Sequence, residues 1–285
     1  MRQTELKIAV CGASGFVGTN LRKLLHSKKI HVVSLARKKH RRFESEKSVI
    51  FSDLANKNLP KKLSGCNALV HLIGSGAQTA DSDYQLVNVD QTTKIIRLCK
   101  KSKIKKIVYI SGLGVSNSTT MGYFISKLKA EQQIIKSGLD YTIFRASHII
   151  GQNDPLTKNL LRQAKRGYLT IPGSGSYVLQ PISIDDVSKI ILLCINNKKF
   201  SNQIIDLVGP KTISFEKHVR QFARGKKIKI RKLPLETAYS AAIRSPKKAI
   251  YGLDDLNILL GSFTSSHKKL ERLCGFRLKA GGLSE

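Results

Sequence analysis

The stretch that most constrains this chain is Gly12-Ala-Ser-Gly15-Phe-Val-Gly18. It follows directly on a β-branched apolar run, Leu6–Cys11, and opens a helical pattern, Val17–Ser27. The early glycines allow a tight turn and a close backbone approach to a pyrophosphate. The last lets helix and strand pack closely, and the helix N-terminus offers free N–H groups and the positive end of its dipole to phosphate. Gly12, Ser14, Gly15, Phe16, Val17 and Gly18 are therefore the candidates for holding a dinucleotide. Such glycines also suit an ordinary strand-to-helix turn, and it is the flanking strand and helix that favour nucleotide binding.

The rest of the first half repeats that alternation. Ile30–Leu35, Val49–Phe51, Ala68–Ile73, Lys106–Ile110 and Tyr141–Phe144 read as strands, with helical patterns at Tyr84–Ser102 and Tyr123–Ser137. The strand runs are continuously apolar, as in a parallel sheet covered on both faces. The expected fold is α/β: a doubly wound parallel (Rossmann) sheet over residues 1–151, with a smaller C-terminal α/β substrate lobe over 152–285 packed on it. In the second half a helix is expected near 154–165, and a strand at Gln203–Val208. Ser183 and Asp186 form an approximate capping box for a helix running to about Asn196.

Composition removes other classes. No apolar run reaches the roughly 20 residues a membrane span needs. Met1 to Lys7 does not read as a signal peptide, so a cytoplasmic protein is expected, with peripheral association at the inner face of a membrane left open. The five cysteines are scattered without a CxxC pair, which suits buried thiols; no metal site is expected. Fifty Lys+Arg against 19 Asp+Glu leave a net charge of +31. Aromatics make up only 6% and do not interleave the basic runs, which argues against sequence-specific nucleic-acid binding. An anionic membrane or an acidic protein partner remains compatible with that charge.

Cofactor type is read from the end of the second strand. An acid about 20 residues past the glycine loop would hold the ribose hydroxyls of NAD. Here the stretch is Leu35-Ala-Arg37-Lys38-Lys39-His40-Arg41-Arg42, with no acid. Arg37 and Lys38 suit the 2′-phosphate of NADP, so NADP(H) is favoured over NAD(H).

Ser111 stands past the strand Lys106–Ile110, and Tyr123 and Lys127 lie four apart on a helical pattern. A phenol is a poor acid–base group near neutrality; a nearby ammonium favours its ionised form, and a hydroxyl can orient a substrate oxygen. His148, after the strand Tyr141–Phe144, reads more readily as a structural histidine than as a substrate contact.

With these motifs the chain resembles the short-chain dehydrogenase/reductase superfamily over essentially its whole length. The branch is the extended and atypical one, which includes sugar-nucleotide epimerases and the accessory subunit of respiratory complex I. Besides the glycine loop, the matching residues are Asp53-Leu54, Asn88-Val-Asp-Gln-Thr92, Ser111-Gly-Leu-Gly, Tyr123-Phe-Ile-Ser-Lys127 and Gln180-Pro-Ile-Ser-Ile-Asp-Asp-Val187. The resemblance implies that Asp53 and Leu54 approach the adenine and that Leu72, Ile73 and Gly74 line the dinucleotide. It also implies that Lys127 holds the nicotinamide ribose and that Asn88 joins a proton relay with Ser111, Tyr123 and Lys127. Two departures stand out: Ser111 and Tyr123 are only 12 apart, and Phe144-Arg-Ala-Ser-His148 replaces an Arg-Pro pattern. Three functions follow from the resemblance: an oxidoreductase acting on a small carbonyl or alcohol, a non-catalytic nucleotide-bound subunit or assembly factor of a membrane complex, and a nucleotide-sugar epimerase or dehydratase. A monomer and a homodimer are equally compatible.

Overall fold

The apolar runs of the first half form six strands: β1 (Lys7–Cys11), β2 (His31–Ala36), β3 (Glu46–Ile50), β4 (Ala68–His71), β5 (Lys106–Gly112) and β6 (Asp140–Ala146). They are seen in a computed structural model that describes residues 6–76 and 83–281. A seventh strand, Gln203–Leu207, joins the edge beside β6. The order is then Gln203–Leu207, β6, β5, β4, β1, β2, β3, with every neighbouring pair parallel. Because β1 lies between β2 and β4, the chain leaves it in opposite directions. That switch opens a crevice at the carboxyl ends of the strands, where open α/β sheets bind ligands.

Helices α1 (Phe16–Ser27), α2 (Leu59–Lys62), α3 (Gln91–Lys101), α4 (Gly122–Ile135), α5 (Pro155–Ala164) and α6 (Ile184–Asn196) follow in chain order. Successive strand residues point to opposite faces. Ile8 and Val10 therefore pack with Leu21 and Leu25 of α1 and Val187 and Ile191 of α6. Ala9 and Cys11 pack on the other side, with Ile95 and Cys99 of α3 and Ala130 and Ile134 of α4. This double burial is why the strands read as unbroken apolar runs.

The β2–β3 crossover carries no helix between Arg37 and Ser45. A buried ion pair holds it instead. Arg22 of α1 donates from Nε and Nη2 to the two carboxylate oxygens of Glu46, at 2.9 Å each. Its Nη1 donates to the Ala13 carbonyl at 2.8 Å, and Nη2 also reaches the Arg41 carbonyl. Burial works to raise the Glu46 pKa. The hydrogen bonds from Arg22, Ser34 and the Phe43 N–H outweigh it and hold the carboxyl below its usual range. One guanidinium thus ties the glycine loop to the basic loop after β2.

Beyond Gly151 a third apolar cluster forms around Leu160, Leu169, Ile171, Phe215, Val219 and Leu256. The strand Tyr168–Pro172 pairs there with Lys229–Leu233. Between these lobe segments the chain returns to the main sheet through α6 and Gln203–Leu207, and Leu270, Cys274 and Leu278 close one face of the first core.

Three details differ from expectation. β5 runs through Gly112, so Ser111 lies within the strand because its backbone still pairs with Arg145 of β6. The helical stretch after Tyr84 begins as a π-helical segment, Gln85–Asp90, before α3. The capping box at Ser183 is half formed: Ser183 Oγ accepts from the Asp185 N–H, while Asp186 turns to accept from the Lys279 N–H at 2.7 Å. All five cysteines are buried free thiols. Among the described residues no helix is long and apolar enough to cross a membrane.

Candidate active site

The glycine loop crosses the crevice at the end of β1. Gly12 has φ +90°, and a Cβ there would sit 2.8 Å from the Leu72 carbonyl carbon. A Cβ on Gly18 would lie 2.4 Å from the Gly12 carbonyl oxygen. Only hydrogen fits at either position, so loop and helix approach as closely as phosphate binding requires. The N–H groups of Gly12 and Ala13 are both donated to the Leu35 carbonyl, which ties the turn to the strand that ends at Arg37. α1 then starts at Phe16 with no side chain capping its first turn. Its leading N–H groups are left for a ligand.

A cavity of about 470 Å³ opens over this loop. Gly12, Gly15, Phe16, Val17 and Gly18 line one wall, with Leu72 and Gly74 beside them, and Ser111, Tyr123 and Lys127 line another. The structure thus brings most of the expected residues to one crevice. Ser14 is exposed at the loop tip, and Ile73 packs on the core behind. Arg37 and Lys38 are exposed just past β2. Leu54 is buried, and Asp53 accepts from Lys94 Nζ at 2.8 Å and from the Ala55 N–H.

α4 carries Tyr123 and Lys127. Tyr123, Lys127 and Glu131 recur every four residues along it. Glu131, 1% exposed, takes a two-pronged ion pair from Arg145 of β6, at 3.1 and 2.7 Å. This pair fixes the rotation of α4 against the sheet. Lys127 Nζ donates to the Tyr109 hydroxyl and to the Ile110 carbonyl, both at 3.2 Å. A Cβ on Gly112 would lie 3.3 Å from the Tyr123 hydroxyl, which places the phenol beside the end of β5. Ser111 lines the same cavity, and its Oγ is buried with no hydrogen-bond partner among the described residues. An orphaned hydroxyl in a ligand cavity is a group awaiting a partner.

Burial pushes the Tyr123 phenol up to about 12 and the Lys127 ammonium down to about 8. The phenol is therefore protonated near neutrality, and Lys127 is largely charged. Lys127 has a folded pKa below its unfolded value, so its burial cost is present below about pH 8 and is relieved as pH rises beyond it. The ammonium that the family resemblance expects to hold the ribose disappears over the same range. Dinucleotide affinity is thus expected to weaken as pH rises through about 8, and Lys127→Met should flatten that profile. Titration calorimetry between pH 6.5 and 9.5 measures it; a profile unchanged by the substitution contradicts the assignment.

Asn88 is fully buried at the π-helical segment. It accepts from the Ser75 N–H at 2.9 Å and donates to the Ser75 carbonyl and to Ser126 Oγ. Both amide protons are therefore taken, and the residue ties the loop after β4 to α4.

Sequence reasoning missed several partners. Tyr109 and His71 are hidden inside apolar strand runs. Thr92 gives its hydroxyl proton to the Asn88 carbonyl at 2.6 Å, so His71 Nε2 must donate to Thr92 Oγ1 and its Nδ1 is the bare acceptor. Burial, with Lys127 nearby, pushes His71 down to about 3 and keeps it neutral. His148 does reach the cleft: it lines this cavity and two adjoining ones. Burial and neighbouring His218 hold its pKa at about 4.

A sequence profile described as NAD(P)H-binding matches residues 12–198. The chain belongs to this NAD(P)H-binding family. Among curated proteins, an uncharacterized sugar epimerase, YhfK of Bacillus subtilis (strain 168), is 26% identical over 73% of this chain and 96% of its own length. The mitochondrial NADH dehydrogenase (ubiquinone) 1 alpha subcomplex subunit 9 of Arabidopsis thaliana is 25% identical over 50% of this chain and 37% of its own length. Both fall in the group the motifs resemble. Among solved structures, MoeE5 in complex with UDP-glucuronic acid and NAD superposes with a TM-score of 0.77 at 17% identity. The match covers 96% of this chain and 94% of that one, which is a likeness of fold. A glycine cradle that no Cβ could enter, an uncapped helix start and the 470 Å³ cavity fit an NAD(P) dinucleotide on physical grounds as well.

Proposed function

We propose that the protein is an NADP(H)-dependent oxidoreductase acting on the carbonyl or alcohol carbon of a small substrate. The observation that carries this reading is the half-buried, protonated Tyr123 phenol on the cavity wall shared by the glycine loop, Lys127 and the Ser111 hydroxyl, which has no partner among the described residues. When bound, the reduced dinucleotide supplies hydride. Ser111 Oγ–H donates to the substrate oxygen and holds it, and the Tyr123 hydroxyl gives that oxygen its proton as charge develops. Lys127 stabilises the phenolate left behind and holds the ribose. Asn88 acts as a positioning residue, since its amide protons are already engaged.

NADP(H) is favoured by the loop after β2. Arg37 and Lys38 are exposed there, and the buried carboxylate of that crossover, Glu46, is neutralised by Arg22. A hydrogen bond to a charged group contributes about 1.5–3 kcal/mol. The double substitution Arg37→Ala/Lys38→Ala is therefore expected to weaken NADPH binding by roughly tenfold or more, with little change for NADH. Titration calorimetry with both dinucleotides decides it, and tighter binding of NADH to the unaltered protein overturns the preference.

A second reading is a nucleotide-bound, non-catalytic subunit docked by its basic surface on a membrane complex. The net charge of +31 and the similarity to the mitochondrial NADH dehydrogenase subunit support it. It predicts co-purification with membranes, lost at high salt, and no substrate-dependent oxidation of NADPH.

A further inference from the structure

Tyr123 stands where two cavities meet, and Ala146, Ser147 and His148 also line both. Beyond Tyr123, away from the glycine loop, lies the second one, of about 130 Å³. Its walls are Leu113, Phe124, Val178, Ile258 and Phe263, and among the described residues that line it none is charged. The polar groups it meets are those of Tyr123, His148 and Ser147. His148 is neutral, and Ser147 Oγ donates to the Gln180 carbonyl.

The size of this cavity is built in. Phe263 is wedged between two glycines: a Cβ on Gly114 would lie 2.7 Å from its ring, and one on Gly261 would lie 2.1 Å away. The ring stacks edge-on against Phe124 at 5.0 Å. On one side of it Ser262 Oγ accepts from the Val178 N–H at 3.0 Å. On the other, Ser265 donates from its N–H to Gln180 Oε1 and from Oγ to Asp206 Oδ2, at 2.8 and 2.6 Å. Enlarging the cavity means breaking these ties.

A nucleoside diphosphate sugar needs cations for its phosphates. Among the described residues the apolar cavity has none, and in the adjoining 290 Å³ cavity past His148 the one cation among them, Arg162, faces Asp255 with Asp254 beside it. An apolar cavity of about 150 Å³ accommodates a molecule the size of benzene. We propose that the cavity beyond Tyr123 holds the apolar body of the substrate, an uncharged, largely apolar aldehyde or ketone of roughly six to eight non-hydrogen atoms, with its carbonyl at the shared Tyr123 edge where Ser111 lines the dinucleotide cavity. This rests on the oxidoreductase reading. The carbonyl carbon accepts hydride from NADPH, the C=O π bond breaks, and its oxygen takes the Tyr123 proton. NADPH is oxidised to NADP⁺, the carbonyl is reduced to an alcohol, and solvent returns the proton to Tyr123.

The test uses the full chain with NADPH and four probes: benzaldehyde, cyclohexanone, pyruvate and UDP-glucose. Binding is read by saturation-transfer NMR and turnover by NADPH absorbance. Benzaldehyde and cyclohexanone are expected to bind and to be reduced with kcat/KM at least about tenfold above pyruvate and UDP-glucose. Val178→Phe and Ile258→Phe, on separate elements, fill the cavity; each should remove binding and turnover of both carbonyls while the NADPH Kd stays within about twofold. Phe263→Ala should shift preference towards longer ketones such as benzylacetone. Binding of UDP-glucose or pyruvate in place of the apolar probes, or carbonyl binding untouched by both filling variants, overturns the assignment. Benzaldehyde that binds, is displaced by the filling variants and leaves NADPH unoxidised upholds the pocket and sinks the oxidoreductase reading.

Discussion

Tyr123→Phe is expected to lower kcat by about 10²–10⁴-fold while the NADPH Kd changes by less than about threefold. The substitution removes one oxygen from the wall of the cavity and leaves the glycine loop and the Arg145–Glu131 pair as they are. The aromatic contacts of that ring with Tyr84 and Phe124 survive in phenylalanine, so α4 keeps its place. What disappears is the half-buried hydroxyl whose proton is retained near neutrality because its pKa is pushed up to about 12. A drop confined to kcat, with calorimetric affinity preserved, separates an acid from a binding contact. Undiminished turnover contradicts its role.

Glu46→Ala is expected to cost about 3–5 kcal/mol of stability, because it leaves the Arg22 guanidinium buried without its counter-charge. The side chains of the pair are 2% and 1% exposed, so water cannot replace the lost carboxylate. The β2–β3 crossover loses its anchor at the same time, since Glu46 also accepts from the Phe43 N–H and lies 3.4 Å from His40 Nε2. Denaturant unfolding measures the first effect, and NADPH titration should show weaker binding from a loosened Arg37–Arg42 loop. The double variant Arg22→Leu/Glu46→Leu, which buries no lone charge, should be the more stable of the two. A loss under about 1 kcal/mol in Glu46→Ala contradicts this account of the pair.

How much of this was legible depends on how local each cause is. The glycine loop was readable because its geometry excludes a Cβ at Gly12 and Gly18 within a single turn. The sheet was readable because burial on both faces writes itself into each strand as an unbroken apolar run. That Tyr123 and Lys127 share one helix face was readable from their spacing of four. The Arg22–Glu46 pair joins residues 24 apart, and Arg145–Glu131 joins a strand to a helix; in sequence each is one more charge in a basic chain. The place of Gln203–Leu207 at the sheet edge is a matter of tertiary pairing, which strand propensity does not encode. Phe263 was invisible for the same reason: its contacts with Gly114 and Phe124 bridge some 140 residues or more. Asp53 shows the limit of a motif, since its carboxylate is drawn to Lys94, a cation that the matched pair Asp53-Leu54 does not contain.

The most direct measurement follows deuterium into product from NADPH that carries deuterium at both C4 positions. The purified protein is incubated with labelled NADPH and benzaldehyde, and the alcohol is analysed by mass spectrometry. One deuterium per alcohol, with an equal amount of NADP⁺ formed and neither seen in Tyr123→Phe, is the predicted result. An alcohol free of label, or tightly held dinucleotide that is never consumed with any carbonyl, contradicts hydride transfer at this site.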